Sequence, residues 1–221
     1  MSISPKAALL EEFALVARAL SAPSRLSLLE QLAQGERGVE ALAAKTDLTI
    51  ANCSQHLQQL RRAGLVSSRR DGKAVIYRLT DAKTIELMSL LGIVAERSLA
   101  QVERILRGLS GGNDAPEPVS RAELAARLAE GSVTVLDVRP ADEYILGHIP
   151  GALNVKLAEL DQILPAIEPD ADIVAYCRGP YCVLAYQAVA ILRRHDIKAR
   201  RLDGGLPEWR EEGRAVLAGA S

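Results

Sequence analysis

No uninterrupted apolar run in the 221-residue chain approaches the roughly 18 residues of a membrane-spanning helix. Glu11 and Glu12 break the apolar start before a signal-peptide core would form, so the expected location is the cytoplasm, without a membrane partner. Cysteine is scarce too. Cys53, Cys177 and Cys182 are too few to make a disulfide framework, and a reducing compartment would keep them as thiols available for chemistry or metal. An excess of one charge is also missing, with a net of −1. What remains is an ordinary globular composition, 48% hydrophobic and 25% charged with a mean hydropathy of +0.06, which excludes disorder. The length allows two compact domains.

The near-neutral total hides an asymmetry. Residues 1–110 carry 15 Lys and Arg against 11 Asp and Glu, and residues 111–221 carry 12 against 17. A basic first half suits nucleic acid and an acidic second half does not. Between them, Ser110-Gly-Gly-Asn-Asp-Ala-Pro-Glu-Pro118 has the small, breaker-rich composition of a linker. The expected division is therefore 1–109, a linker at 110–118, and 119–221.

In the first half, Leu9, Leu10, Phe13, Val16, Ala17 and Leu20 recur at helical spacing, and a second helix runs from Ser24 to Gly35. A short third helix covers Val39 to Lys45. Thr49 is a good N-cap for a fourth, Ile50 to Ala63, whose apolar stripe is Cys53, Leu57 and Leu60. Its other face holds Gln55, Gln58 and Arg62, flanked by Asn52, Ser54, Gln59 and Arg61. Amide side chains bond bidentately to adenine in the major groove, which is what a recognition helix needs, although the same face would also serve as an ordinary solvated one. Two strand-like runs follow, Leu65 to Arg70 and Lys73 to Leu79, joined by Asp71-Gly72. Arg69, Arg70 and Lys73 at the tip would meet phosphates. Short helix, polar helix and basic hairpin together read as a winged helix-turn-helix. From Asp81 to Leu109 a proline-free apolar pattern predicts one helix of about 28 residues, too long for a lone domain to cover. It is expected to pair with the first helix in a homodimer.

The string Asp47 to Leu79, DLTIANCSQHLQQLRRAGLVSSRRDGKAVIYRL, resembles the ArsR/SmtB family of bacterial repressors, and the likeness runs from about Leu9 to Leu109. The resemblance implies a symmetric dimer on pseudo-palindromic operator DNA. Many members sense metal through a Cys pair near the third helix or Asp/His pairs on the last. Here Gly35 to Glu40 holds no cysteine and Asp81 to Leu109 no histidine, so no metal site and no cofactor are expected. Cys53 reads as a small hydrophobe and His56 as a packing residue.

Val119 to Ser221 alternates helical and strand patterns, with buried strands at Val133–Leu136, Asp172–Tyr176 and Ala199–Leu202, a short helix at Leu157–Leu164 and helices at Ala122–Leu128 and Val183–His195. The predicted fold is α/β around a parallel sheet. Cys177 ends the middle strand, and Arg178, Gly179, Pro180, Tyr181 and Cys182 form a tight loop before the helix starting at Val183. Converging N–H groups and a helix N-terminus favour the thiolate of Cys177, and Arg178 adds positive potential. This half resembles a single-domain rhodanese through LDVRPADEYILGHIPGA (Leu136 to Ala152), YCRGPYC and DGGLPEW (Asp203 to Trp209). The resemblance places a sulfur-carrying role on Cys177 and supporting roles on Asp137, Arg139, Glu143 and His148. One departure matters. Common rhodanese loops resemble C-x-x-G-x-R-[ST], whereas Pro180, Cys182 and Val183 stand at the Gly, Arg and Ser/Thr positions. A cation for an anionic donor is missing there, and Cys182 instead reads either as a second thiol to resolve a persulfide on Cys177 or as a small residue packed in the first turn of the helix. The expected function is a repressor that senses or carries sulfane sulfur from a donor. The alternatives are a sulfurtransferase tethered to a DNA-binding domain and a thiophilic-metalloid sensor using Cys177 and Cys182.

Overall fold

A computed structural model describes residues 4–110, 117–168 and 170–219. Two compact units divide the chain, Met1–Met88 and Ser89–Ser221. The expected linker falls largely on 111–116, outside the described residues.

In the first unit, α1 (Pro5–Leu20) opens on Ser4, whose hydroxyl accepts the Ala7 N–H, and Pro5 takes the first helical position, where a missing N–H costs nothing. There follow α2 (Pro23–Gln34), β1 (Arg37–Gly38), α3 (Val39–Lys45), α4 (Ile50–Arg62), β2 (Val66–Asp71) and β3 (Ala74–Leu79). The strands are antiparallel in the order β1-β3-β2. Leu28, Leu29, Leu42, Cys53, Leu57 and Leu60 fill the core at zero exposure, so the stripe expected on the fourth helix is buried. Asp71 pairs with Ala74, which puts the hairpin turn on Gly72-Lys73, one residue beyond the expected Asp71-Gly72. Gly72, at φ 58°, supplies the left-handed backbone that such a turn requires.

The next helix, α5 (Lys83–Ser98), begins in this unit with Thr84 buried and Met88 packed against the core, and the unit boundary falls within it. Here the structure corrects the sequence reading. The single helix expected over 81–109 is interrupted at Leu99, and α6 (Ala100–Ser110) follows as a separate segment. No Gly or Pro marks the break. The segment beyond the break packs against the helix at Val183–Arg194, a tertiary contact that local sequence does not encode.

The second unit continues with α7 (Arg121–Ala129), β4 (Thr134–Asp137), α8 (Ala141–Leu146), β5 (Leu153–Asn154), α9 (Leu160–Ile163), β6 (Asp172–Tyr176), α10 (Val183–Arg194), β7 (Lys198–Arg201) and α11 (Leu206–Glu211). The short helix expected at Leu157–Leu164 is only partly α-helical, because 3₁₀ turns at Leu157–Glu159 and Leu164–Ala166 flank α9. The sheet is parallel throughout, in the order β5-β4-β6-β7. Alternate residues of β4 and β6 feed two cores, Leu136, Ile173 and Ala175 on the face covered by α10, and Val135, Val174 and Tyr176 on the face covered by Leu206 and Trp209. α6 packs against α10. Among the described residues no helix is long and apolar enough to cross a membrane.

A buried polar network ties the carboxyl ends of the strands together. Asp137 is fully buried and accepts from Arg139 Nε at 2.9 Å and from the Tyr176 hydroxyl at 2.6 Å. Tyr176 Oη in turn accepts the Ile149 N–H, and Asn154 donates to the carbonyls of Asp137 and Arg139. Burial, and then the Asp137 charge, push the Tyr176 phenol well above its usual pKa, so it stays a donor. Removing one member of a buried ion pair leaves the other uncompensated. Arg139→Met should therefore destabilise the second unit by about 3–5 kcal/mol. Urea unfolding followed through Trp209, which is buried in this unit, measures it; a loss below about 1 kcal/mol would mean that water or a repacked side chain replaces the arginine.

Candidate functional site

Two sites emerge, one in each unit. In the first, Thr49 caps α4 by accepting the Asn52 N–H at 3.2 Å, and burial of Cys53, Leu57 and Leu60 turns the polar face outward. Asn52, Gln55, Gln58, Arg61 and Arg62 are exposed and Ser54 is half-buried. Gln59 is engaged within the fold: its Oε1 accepts from Arg25 Nη1 at 2.7 Å, and Arg25 also donates to the Arg18 carbonyl. Sequence spacing carried no sign of Arg25, a mostly buried cation on α2. On the wing, the Arg69 guanidinium is held by Glu36 and Asp71, while Arg70 and Lys73 are exposed with no ion pair among the described residues. Burial pushes the Cys53 thiol up, away from the thiolate, which suits its place in the core.

The second site is the loop between β6 and α10. Cys177 is fully buried at the end of β6, Cys182 is the N-cap of α10, and their sulfurs are bonded, with the Cα atoms 6.0 Å apart. Their neighbours hold the loop from three sides. Arg178 donates through Nε and Nη2 to the Glu143 carboxylate at 2.9 and 2.8 Å, and Glu143 is fully buried on α8. Arg201 at the end of β7 stacks its guanidinium 3.7 Å from the Tyr186 ring centroid and donates to the Pro180 carbonyl. Gly205 presses its backbone onto the loop so closely that a Cβ would collide with Cys177 O and Gly179 N, and the Leu206 N–H donates to Cys177 O. Gly179 and Pro180 lie within this grip, Tyr181 reaches Glu96 through its hydroxyl, and Val183 starts α10.

The other residues expected around the loop are buried in the frame described above. Asp137 and Arg139 pair with each other, and His148 stacks on Tyr144 at 3.7 Å with Nδ1 on the Tyr144 carbonyl. Glu143 touches the loop directly, through Arg178. Among the described residues no group of three or more His, Cys, Asp or Glu is placed to hold a metal. Gly205 and Arg201 went unrecognised as loop supports in the sequence; the first was visible only as part of the DGGLPEW motif, and the second had no signal.

The Helix-turn-helix domain family matches residues 20–69 and the Rhodanese-like domain family residues 120–212. The HTH-type transcriptional regulator Rv0324 of Mycobacterium tuberculosis is 45% identical over 215 residues, 97% of this chain and 94% of that protein. The chain belongs to the ArsR/SmtB-type helix-turn-helix transcriptional regulators that carry a C-terminal rhodanese-like domain. The Biofilm growth-associated repressor of Agrobacterium fabrum is 42% identical to this regulator over 80 residues, covering 36% of the chain and 68% of that protein. Among solved structures, the homodimeric winged helix-turn-helix DNA-binding domain Mb0332 of Mycobacterium bovis is 40% identical, covers 45% of this chain and 92% of its own, and has a TM-score of 0.41.

The geometry separates the wing residues of the regulator. Because Arg69 is already neutralised by two carboxylates, Arg70→Ala and Lys73→Ala should each flatten the logarithmic salt dependence of DNA binding by about 0.9, and Arg69→Ala by less. Gln55→Ala and Gln58→Ala should instead relax base discrimination by about 1–3 kcal/mol per lost contact. Anisotropy titrations across salt and operator variants check both; wild-type discrimination in the glutamine variants would remove α4 from the groove.

Proposed function

We propose that the regulator is a homodimeric repressor of the cytoplasm whose rhodanese-like domain takes sulfane sulfur onto Cys177, and that this modification weakens its hold on operator DNA. The observation that carries this reading is the placement of two cysteines at one strand-to-helix loop, with Cys177 at the strand end and Cys182 at the N-terminus of α10. A thiolate there is favoured by the helix dipole and loop amides, and a second thiol in bonding reach provides a route from persulfide to disulfide. Cys53, raised in pKa by burial in the other unit, does not compete.

Sensing is favoured over turnover of an anionic donor by Arg178, whose guanidinium is paired with the buried Glu143 carboxylate. A sulfurtransferase acting on thiosulfate would need a cation presented to the donor. The homodimer is supported by apolar side chains that the single chain leaves in solvent: Leu9, Leu10 and Phe13 on α1, and Leu87, Leu90, Leu91 and Val94 on α5. The direction of the response, release on modification, follows from repression as the role named for the Agrobacterium fabrum relative.

Treating the reduced protein with a persulfide donor and mapping peptides by mass spectrometry should place the added sulfur on Cys177, with none at that peptide in Cys177→Ser. Operator affinity of the wild type should fall by about five- to 150-fold, the range of allosteric couplings of about 1–3 kcal/mol. Persulfide on Cys53 or Cys182 at the wild-type rate in Cys177→Ser would sink the assignment, and unchanged affinity would favour an enzyme merely tethered to the DNA-binding domain.

A further inference from the structure

Gly92 lies in the interior of α5, where glycine is a poorer helix former than alanine and therefore needs a reason. The reason is steric: a Cβ at Gly92 would overlap the Cε2 and Cδ2 atoms of Tyr181, so the ring lies directly on the helix backbone. One turn further on, the Tyr181 hydroxyl donates to Glu96 Oε2 at 2.9 Å. One turn back, Ser89 Oγ donates to Glu208 Oε1 at 3.0 Å, while Glu208 Oε2 accepts the N–H of Gly205, the residue pressed on Cys177 O. Both ends of the thiol loop thus reach α5, one through Tyr181 next to Cys182 and the other through Gly205 and Glu208.

Residues 89, 92 and 96 are spaced by three and four and share one helix face. The exposed Leu87, Leu90, Leu91 and Val94 lie on the opposite face. The same helix begins at Lys83, with Thr84 buried and Met88 packed against the winged-helix core.

We propose that Ser89, Gly92 and Glu96 form a receptor for the thiol loop in its Cys177–Cys182-bonded form, with Tyr181 as the latch, so that the sulfur state of the loop sets how firmly α5 is held. The proposal rests on the sulfur-carrying reading of Cys177 for its physiological trigger. With a persulfide R–S–S⁻ as co-reactant, the Cys177 thiolate attacks the outer sulfur, the donor's S–S bond breaks and R–S⁻ leaves. The Cys182 thiolate then attacks Cys177 Sγ, the persulfide S–S bond breaks, and the departing sulfur leaves as hydrosulfide. Two thiols are oxidised to one disulfide and one sulfane sulfur is reduced; one thiol proton goes to solvent and one leaves on the hydrosulfide. Closing the short Cys177–Cys182 ring removes conformations from the loop, and with them the entropy that would otherwise pull Tyr181 off the helix.

Hydrogen–deuterium exchange of the full chain tests the latch, with diamide or dithiothreitol setting the thiol state and intact mass confirming it. Amides of residues 89–98 should exchange about tenfold more slowly in the oxidised wild type than in the reduced one. Tyr181→Ala and Gly92→Ala should exchange at the fast rate in both states, and Cys182→Ser at the reduced rate whatever the oxidant. Gly92→Ala improves helix propensity, so its folding is secure. Equal exchange of oxidised and reduced wild type would overturn the proposal, as would a redox difference that survives in both Tyr181→Ala and Gly92→Ala. Diamide acts without any sulfur donor. A redox difference in a protein that never takes persulfide on Cys177 would therefore keep the latch and reject the sulfur reading, and persulfidation without the difference would do the reverse.

Discussion

A carboxylate taken wholly out of water has to be paired, and Glu143 is paired with Arg178, the residue that follows Cys177. Its two oxygens accept from Arg178 Nε and Nη2, which pins the first peptide of the thiol loop to α8. Once that end is fixed, the path to the N-terminus of α10 is short, and Cys182 falls within bonding distance of Cys177. Gly205 closes the remaining side, because its missing side chain lets backbone lie on backbone. The same ion pair commits the Arg178 guanidinium to a carboxylate within the fold.

The two units solve opposite electrostatic problems. The first presents cations and amides to solvent on α4 and the wing, and holds α4 with an apolar stripe and with the mostly buried Arg25. The second encloses three of its charges: Asp137, Arg139 and Glu143 are all at zero exposure, and hydrogen bonds tie them to the strand ends and to the loop.

Much of this was legible in the chain. The third helix, Val39–Lys45, and the strand Asp172–Tyr176 have the bounds that their patterns predict, because local periodicity and flanking breakers agree there. The interruption at Leu99 was not legible, since nothing local marks it and the packing of α6 on α10 involves residues far apart in sequence. The same holds for side-chain commitments. Helical spacing put Gln59 beside the polar face of α4 and charge put Arg69 at the wing tip, but their partners Arg25 and Glu36 lie 34 and 33 residues away. Two-residue strands such as Arg37–Gly38 and Leu153–Asn154 are too short to show a period of two. The thiol loop was readable as a place, from strand end, glycine and helix start; its grip by Arg201, Gly205 and Tyr181 was not.

The central claim is that sulfur on the Cys177–Cys182 loop and operator DNA are alternatives for this regulator. Native mass spectrometry of the protein, partly reacted with a persulfide donor and mixed with less than one equivalent of an operator selected from a random-sequence library, tests it in one sample. The DNA-bound population should be enriched in the dithiol form, and the free population in the persulfide and disulfide forms. Identical distributions of sulfur states in the bound and free populations would contradict the account.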